Sequence, residues 1–170
     1  LGKLRDQGWK IGLSLTGPRQ ADTLRKAMTI QVDGGPLFDA VQATWNLLER
    51  SCGPALAEAH AAGLGVTVKE ALANGRLTDR NADPTFSAKR EQLQKVARSC
   101  GCSIDALALA AVLAQPWVDV VLSGAATVSH LRANLASLDV TWTPEMEDLL
   151  ASLVEPADEY WPTRANLVWN

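Results

Sequence analysis

The sequence has no apolar run longer than nine residues, Ala106 to Ala114, against the roughly 20 that a membrane-spanning helix requires. Insertion into a membrane is therefore not expected. There is no surplus of positive charge: Lys+Arg number 16 and Asp+Glu 19, a net charge of −3, so a phosphate backbone or anionic surface would not be neutralised. No nucleic-acid partner is expected. Cysteine is scarce and odd in number, Cys52, Cys100 and Cys102, too few for a disulfide scaffold. Cys100-Gly101-Cys102 lacks further Cys or His at zinc-ligand spacing. Reduced thiols point to a cytoplasmic setting, and no metal site is expected. Tyrosine is limited to Tyr160 and histidine to His60 and His130, with both histidines inside helix-like stretches. The chain opens on Leu1, and Leu1 to Gln7 shows neither an apolar signal core nor an Arg/Ser-rich transit pattern. A start inside a longer polypeptide is the expectation.

What is present is the composition of a folding chain. Hydrophobic residues make up 47% and charged residues 21% of 170 positions, close to soluble globular averages. That length suits one domain, residues 1–170, and falls short of the about 250 residues of a closed eight-stranded β/α barrel.

Short β-like runs alternate with longer helical ones, the pattern of parallel βαβ units. The strand candidates are Lys10 to Leu15, Asp39 to Trp45, Gly65 to Ala71 and Val118 to Ser123. Helices are expected over Arg19 to Met28, Pro54 to Ala62, Ser87 to Cys100, Ser103 to Leu113 beginning with a Ser cap, and Ser129 to Ser137. Another opens at Thr143-Pro144-Glu145, a cap followed by Pro and acidic first-turn residues. Glu145, Glu147 and Asp148 read as that helix-start cluster, and the final fifteen residues read as irregular. An open parallel sheet needs both faces covered, whereas one helical layer covers a single face. Periodicity leaves two options, a small doubly wound sheet or half of a barrel.

Three segments follow in fixed order: Asp39 to Arg50 (DAVQATWNLLER), Gly65 to Leu77 (GVTVKEALANGRL) and Leu122 to Leu135 (LSGAATVSHLRANL). With Gly8 to Ser14 (GWKIGLS) and Glu159 to Arg164 (EYWPTR), they resemble the C-terminal half of an aldo-keto reductase over nearly the whole chain. The resemblance implies a (β/α)8 TIM-type barrel of which this chain supplies strands five to eight plus a C-terminal helix and tail. The polar segment Thr78 to Pro84 would be similar to a cofactor-clamping loop. The family's catalytic Asp, Tyr, Lys and His tetrad belongs to the other half, and no position here matches it.

The resemblance further implies a site for NADP or NAD. Gln42, polar between apolar Val41 and Ala43, stands where a Gln contacts the nicotinamide carboxamide. Ser14 stands where Ser-Asn is common, but Leu15 follows it. Lys69 replaces a residue that is often aromatic and stacks on the nicotinamide ring. Leu72 and Gly75 match the Leu and Gly beside the pyrophosphate. The turn carrying Gly124, Ala125 and Thr127 joins a strand to a helix through small residues, so backbone amides and the helix dipole could meet a phosphate. His130 takes the place of an Arg that grips the 2′-phosphate, and Asn134 matches the Asn at adenine. Trp45 and Trp161 are expected near the cofactor mouth or substrate rim.

Three function classes stand open. The leading one is the cofactor half of an NAD(P)H-dependent enzyme reducing aldehydes or ketones, inactive alone. The second is a non-catalytic cofactor-binding or scaffold protein, and the third a lyase using Lys69 as a Schiff base, which adjacent Glu70 would oppose. Two bare sheet edges and an uncovered apolar face imply a partner, either an N-terminal half-barrel or a second copy.

Overall fold

The computed structural model describes residues 1–167. In chain order the regular elements are α1 (Gly2–Asp6), β1 (Gly12–Ser14), α2 (Gln20–Met28), β2 (Gln31–Val32), β3 (Gly35–Pro36), β4 (Ala40–Thr44), α3 (Gly53–Ala61) and β5 (Gly65–Lys69). Then follow α4 (Ser87–Ser99), α5 (Ile104–Leu113), β6 (Val120–Val121), α6 (Val128–Leu135), α7 (Pro144–Leu150) and α8 (Ala157–Ala165), with short 3-10 turns between some of them.

All four expected strands form, and they build one sheet in the order β1-β4-β5-β6 with every pairing parallel. Because side chains alternate along a strand, Val41, Ala43, Val66 and Val68 turn to one face. There they pack with Leu24, Leu56, Trp45 and Trp117 beneath helices α2 and α3. The other face carries Gly12, Ser14, Ala40, Gln42, Gly65, Thr67, Lys69 and Val120. Register aligns these as rows: Gly12 beside Ala40 and Gly65, then Ser14 beside Gln42, Thr67 and Val120. Among the described residues no element covers this second face, and Val120 is 49% exposed.

The two ends of the strands differ. At their N-terminal ends two carboxylates close the ladder: Asp39 Oδ2 accepts from the Ile11 amide at 2.8 Å and Asp119 Oδ2 from the Val66 amide at 2.7 Å. These bonds satisfy strand-start N–H groups that the ladder leaves over. The Ile11 amide, with Lys10 and Arg5 nearby, holds the Asp39 carboxyl below its ordinary value. At the C-terminal ends the polar side chains Ser14, Gln42 and Lys69 gather.

A second apolar cluster lies between α4, α5, α7 and α8, built on Leu93, Ile104, Leu107, Leu150, Leu153 and Tyr160. Helix α5 is apolar on nearly every side and buried from Ile104 through Val112 apart from Asp105. That is the reading of a core helix rather than a span. Among the described residues no single helix is long and apolar enough to cross a membrane. The expected caps hold: Ser103 accepts from the Ala106 amide and Thr143 from the Met146 amide.

The structure corrects two expectations. The tail read as irregular forms α8 across Ala157–Ala165, even with Pro162 inside it; residues 168–170 lie outside the described residues. Tyr160 and Trp161 anchor that helix by burial, a tertiary gain that outweighs weak local propensity. Trp45 and Trp161, expected at the rim, are 4% and 7% exposed. Trp45 packs edge-on against Trp117 with ring centroids 5.6 Å apart, and Trp161 packs likewise on Tyr160 at 5.4 Å. Large flat side chains gain most from full burial, so both serve the core.

Candidate functional site

Three strands, far apart in sequence, bring Ser14, Gln42 and Lys69 to one place on the uncovered face. Ser14 Oγ donates to Gln42 Oε1 at 2.9 Å, and Lys69 Nζ donates to Ser14 Oγ at 3.3 Å. The direction of this chain matters. With Oε1 already accepting, Gln42 offers its Nε2 as a donor, and that amide has no partner among the described residues. Beside them lies a shallow hollow of about 250 Å³ lined by Gly12, Leu13, Ser14, Ala40, Val41, Gln42 and Thr67. Thr44 extends the same face, and its buried Oγ1 also lacks a partner.

The loop after β5 is held in an unusual shape. Glu70, Ala73 and Asn74 take φ of 57°, 47° and 53°, and Gly75 takes 91°. Left-handed backbone at non-glycine residues costs roughly 1–3 kcal/mol each and persists only where surroundings over-determine it. Here they do. The Glu70 carboxylate accepts from Arg164 at 2.6 Å and from Asn74 Nδ2 at 3.2 Å. Asn46 Nδ2 donates to the Glu70 carbonyl and to the Tyr160 hydroxyl, each at 3.0 Å. Burial pushes the Tyr160 hydroxyl up to about 12. Leu72 sends its side chain toward both apolar clusters, while the position a Cβ on Gly75 would take meets open space. Backbone is therefore what this loop offers outward near Gly75.

The turn after β6 is set by two side chains. Asn134, 6% exposed, donates from Nδ2 to the Ser123 carbonyl at 2.8 Å. Thr127 caps α6 by accepting from the His130 amide at 3.2 Å. Between them Gly124 has φ of 63° with open space where a Cβ would lie. The Ala125 amide reaches Ser123 Oγ only at 3.4 Å. The turn thus presents bare backbone at Gly124 just ahead of a helix N-terminus.

The site residues expected from sequence accordingly fall into three groups: Ser14, Gln42 and Lys69; Leu72 and Gly75; and Gly124, Ala125, Thr127, His130 and Asn134. Sequence reading missed Arg80, whose guanidinium donates to His130 Nε2 at 3.3 Å. Its place in the polar segment Thr78 to Pro84 was the available signal. Also missed were Asn46 and Glu70, which shape the middle loop.

With this geometry in view, comparison with known proteins is decisive on one point. The model of the aldo/keto reductase family matches residues 1–155. The chain belongs to the aldo/keto reductase family. No curated protein gives a significant match by sequence. Among solved structures, a thermostable aldo-keto reductase crystallised with the inhibitor epalrestat is similar at TM-score 0.67 and 24% identity, over 89% of this chain and 51% of its own. The holo and apo forms of an aldo-keto reductase from Bacillus halodurans are similar at TM-scores 0.68 and 0.69 and 19% identity. They cover 91% of this chain and 54% and 55% of theirs. This member of the aldo/keto reductase family spans about half the length of those structures.

Proposed function

We propose that β1, β4, β5 and β6 are strands five to eight of a (β/α)8 barrel, and that the chain, as one partial-barrel unit, supplies the half that binds NADP or NAD. The reaction is reduction of an aldehyde or ketone in a cytoplasmic setting, with the Asp, Tyr, Lys and His tetrad contributed by an N-terminal half. What carries the reading is the Ser14–Gln42 bond of 2.9 Å, which leaves an outward amide donor on the open face at the strand C-termini, where barrel enzymes gather their function. Lys69 is only half-buried and its ammonium is hydrogen-bonded to Ser14. This disfavours a Schiff-base lyase, which needs a desolvated amine.

The residues present fit a nicotinamide dinucleotide. The unpartnered Nε2 of Gln42 suits a carboxamide oxygen. Gly75 and Gly124, with open space above their Cα atoms, suit a close approach of pyrophosphate and adenosine phosphate to backbone. Leu72 would back the former, and Ala125 and Thr127 would border the latter. His130 with Arg80, and Asn134, would flank the adenosine end. When bound, such a cofactor supplies the hydride; the chain's own residues orient it. Partnership follows from the open edges, either with the N-terminal half or with a second copy.

The test is titration of nicotinamide cofactor into the chain joined by a matching N-terminal half. Gln42→Ala should weaken binding about tenfold, the worth of one well-placed hydrogen bond. Asn134→Ala should weaken it as well, by releasing the Ser123 carbonyl. Unchanged affinity in both variants would refute the site, and cofactor binding without carbonyl reduction in the joined protein would favour the non-catalytic reading.

A further inference from the structure

We infer that Lys69 makes this site prefer the reduced, neutral nicotinamide ring over the oxidised, cationic one, an inference that rests on the cofactor reading above. Lys69 lies in register with Thr44 on the same sheet face as Ser14 and Gln42. Its ammonium is tied to Ser14 Oγ at 3.3 Å, and Ser14 is tied to Gln42 Oε1 at 2.9 Å. Two hydrogen bonds therefore separate a full positive charge from the amide that would hold the ring's carboxamide. That charge is uncompensated. Lys69 takes part in no ion pair among the described residues. The neighbouring carboxylate, Glu70, is occupied by Arg164 at 2.6 Å and by Asn74 at 3.2 Å. The rest of the face, Gly12, Ala40, Gly65, Thr67 and Val120, is uncharged.

Phosphates, riboses and adenine are identical in the two redox forms of the ligand. Only the ring's charge differs, so any bias set by Lys69 appears in the ratio of the two affinities. Repulsion between two unit charges in a partly solvated site is on the order of tenfold in affinity. The bias should shrink as salt rises, since the site is partly open to solvent. Lys69 thereby favours exchange of spent oxidised ligand for reduced ligand after turnover.

The experiment measures dissociation constants of the oxidised and the reduced dinucleotide, separately, for the chain joined by its N-terminal half, with Lys69 wild type, Lys69→Met and Lys69→Arg. The expected result is an oxidised-to-reduced ratio of dissociation constants that falls about tenfold in Lys69→Met and stays near wild type in Lys69→Arg. An unchanged ratio in Lys69→Met, with both forms still binding, overturns the inference and leaves the cofactor reading standing. Failure of the wild type to bind either form overturns the cofactor reading and this inference with it. Circular dichroism of both variants distinguishes a lost fold from a lost charge.

Discussion

Cys52 and Tyr160 are buried in different apolar clusters, yet both set the alkaline limit of the fold. Burial pushes the Cys52 thiol from 9.0 up to about 12, with Glu49 adding to the rise. It also pushes the Tyr160 hydroxyl from 10.0 up to about 12. In each case the folded value exceeds the unfolded one, so the stabilising contribution is whole below pH 9 and is lost as pH climbs to about 12. Urea unfolding followed from pH 8 to 11 should therefore show stability falling from about pH 9 upward, with the first part of the fall smaller in Cys52→Ala, since Cys102 is raised by burial as well. An unaltered pH profile in that variant would contradict the assignment. Other single residues were legible from sequence alone. Ser103 and Thr143 announced their caps because a cap is a local device. The Lys69–Ser14–Gln42 chain was not legible as a chain, because its members are 28 and 55 residues apart and only parallel register unites them. Each could be nominated singly, and Ser14, Gln42 and Lys69 were; their bonding order came from the sheet.

Among elements, the link between α7 and α8 is tied to much earlier parts of the chain. Glu155 accepts from Arg76 at 2.6 and 2.8 Å and from Lys89 at 2.6 Å. The side chains of Glu155 and Arg76 are only 10% and 12% exposed. Burial alone would raise the Glu155 carboxyl, but hydrogen bonds from Arg76 and Lys89 outweigh it and hold the group below its ordinary value. A lowered carboxylate contributes stability that is present above its unfolded value of 4.5 and lost as pH falls below it. Glu155→Ala should cost about 3 kcal/mol at pH 7, because a largely buried guanidinium is left unpaired. Chemical denaturation at pH 7 and near pH 3 checks this: the difference from wild type should be large at the first and small at the second. An equal difference at both would contradict the ion-pair account. Elements were unevenly legible. Alternating apolar residues gave β4 and β5 to within two residues at either end, whereas α8 depends on tertiary burial of adjacent Tyr160 and Trp161, which no helical stripe signals. The β2–β3 hairpin turns on Asp33-Gly34, with φ of 53° and 80°, a turn sequence suited to positive φ flanked by strands too short to show an alternation.

For the molecule as a whole, the uncovered sheet face and an exposed stripe dominate. Val128, Leu131, Leu135 and Leu138 recur at helical spacing along α6 and the turn after it, with exposures of 45% to 69%. Contiguous apolar surface of this kind is what interaction sites present. At micromolar concentration, sedimentation should find the chain self-associated or, once an N-terminal half is supplied, in a one-to-one complex; a stable compact monomer indifferent to that half would contradict this. Sequence could not decide between an open sheet and part of a barrel, because four successive βα units have the same periodicity in both. The order of motifs pointed to the family and the parallel pairing gave its sheet, while closure into a barrel leaves no mark in the period of four βα units. The central claim is a division of labour, with cofactor positioning here and proton delivery elsewhere, and carbonyl reduction tests it most directly. Cofactor oxidation is followed with a panel of aldehydes and ketones, for the purified 170-residue chain and again after addition of the N-terminal half. The account predicts no turnover from the chain alone and turnover once the half is added; robust turnover by the chain alone would contradict it.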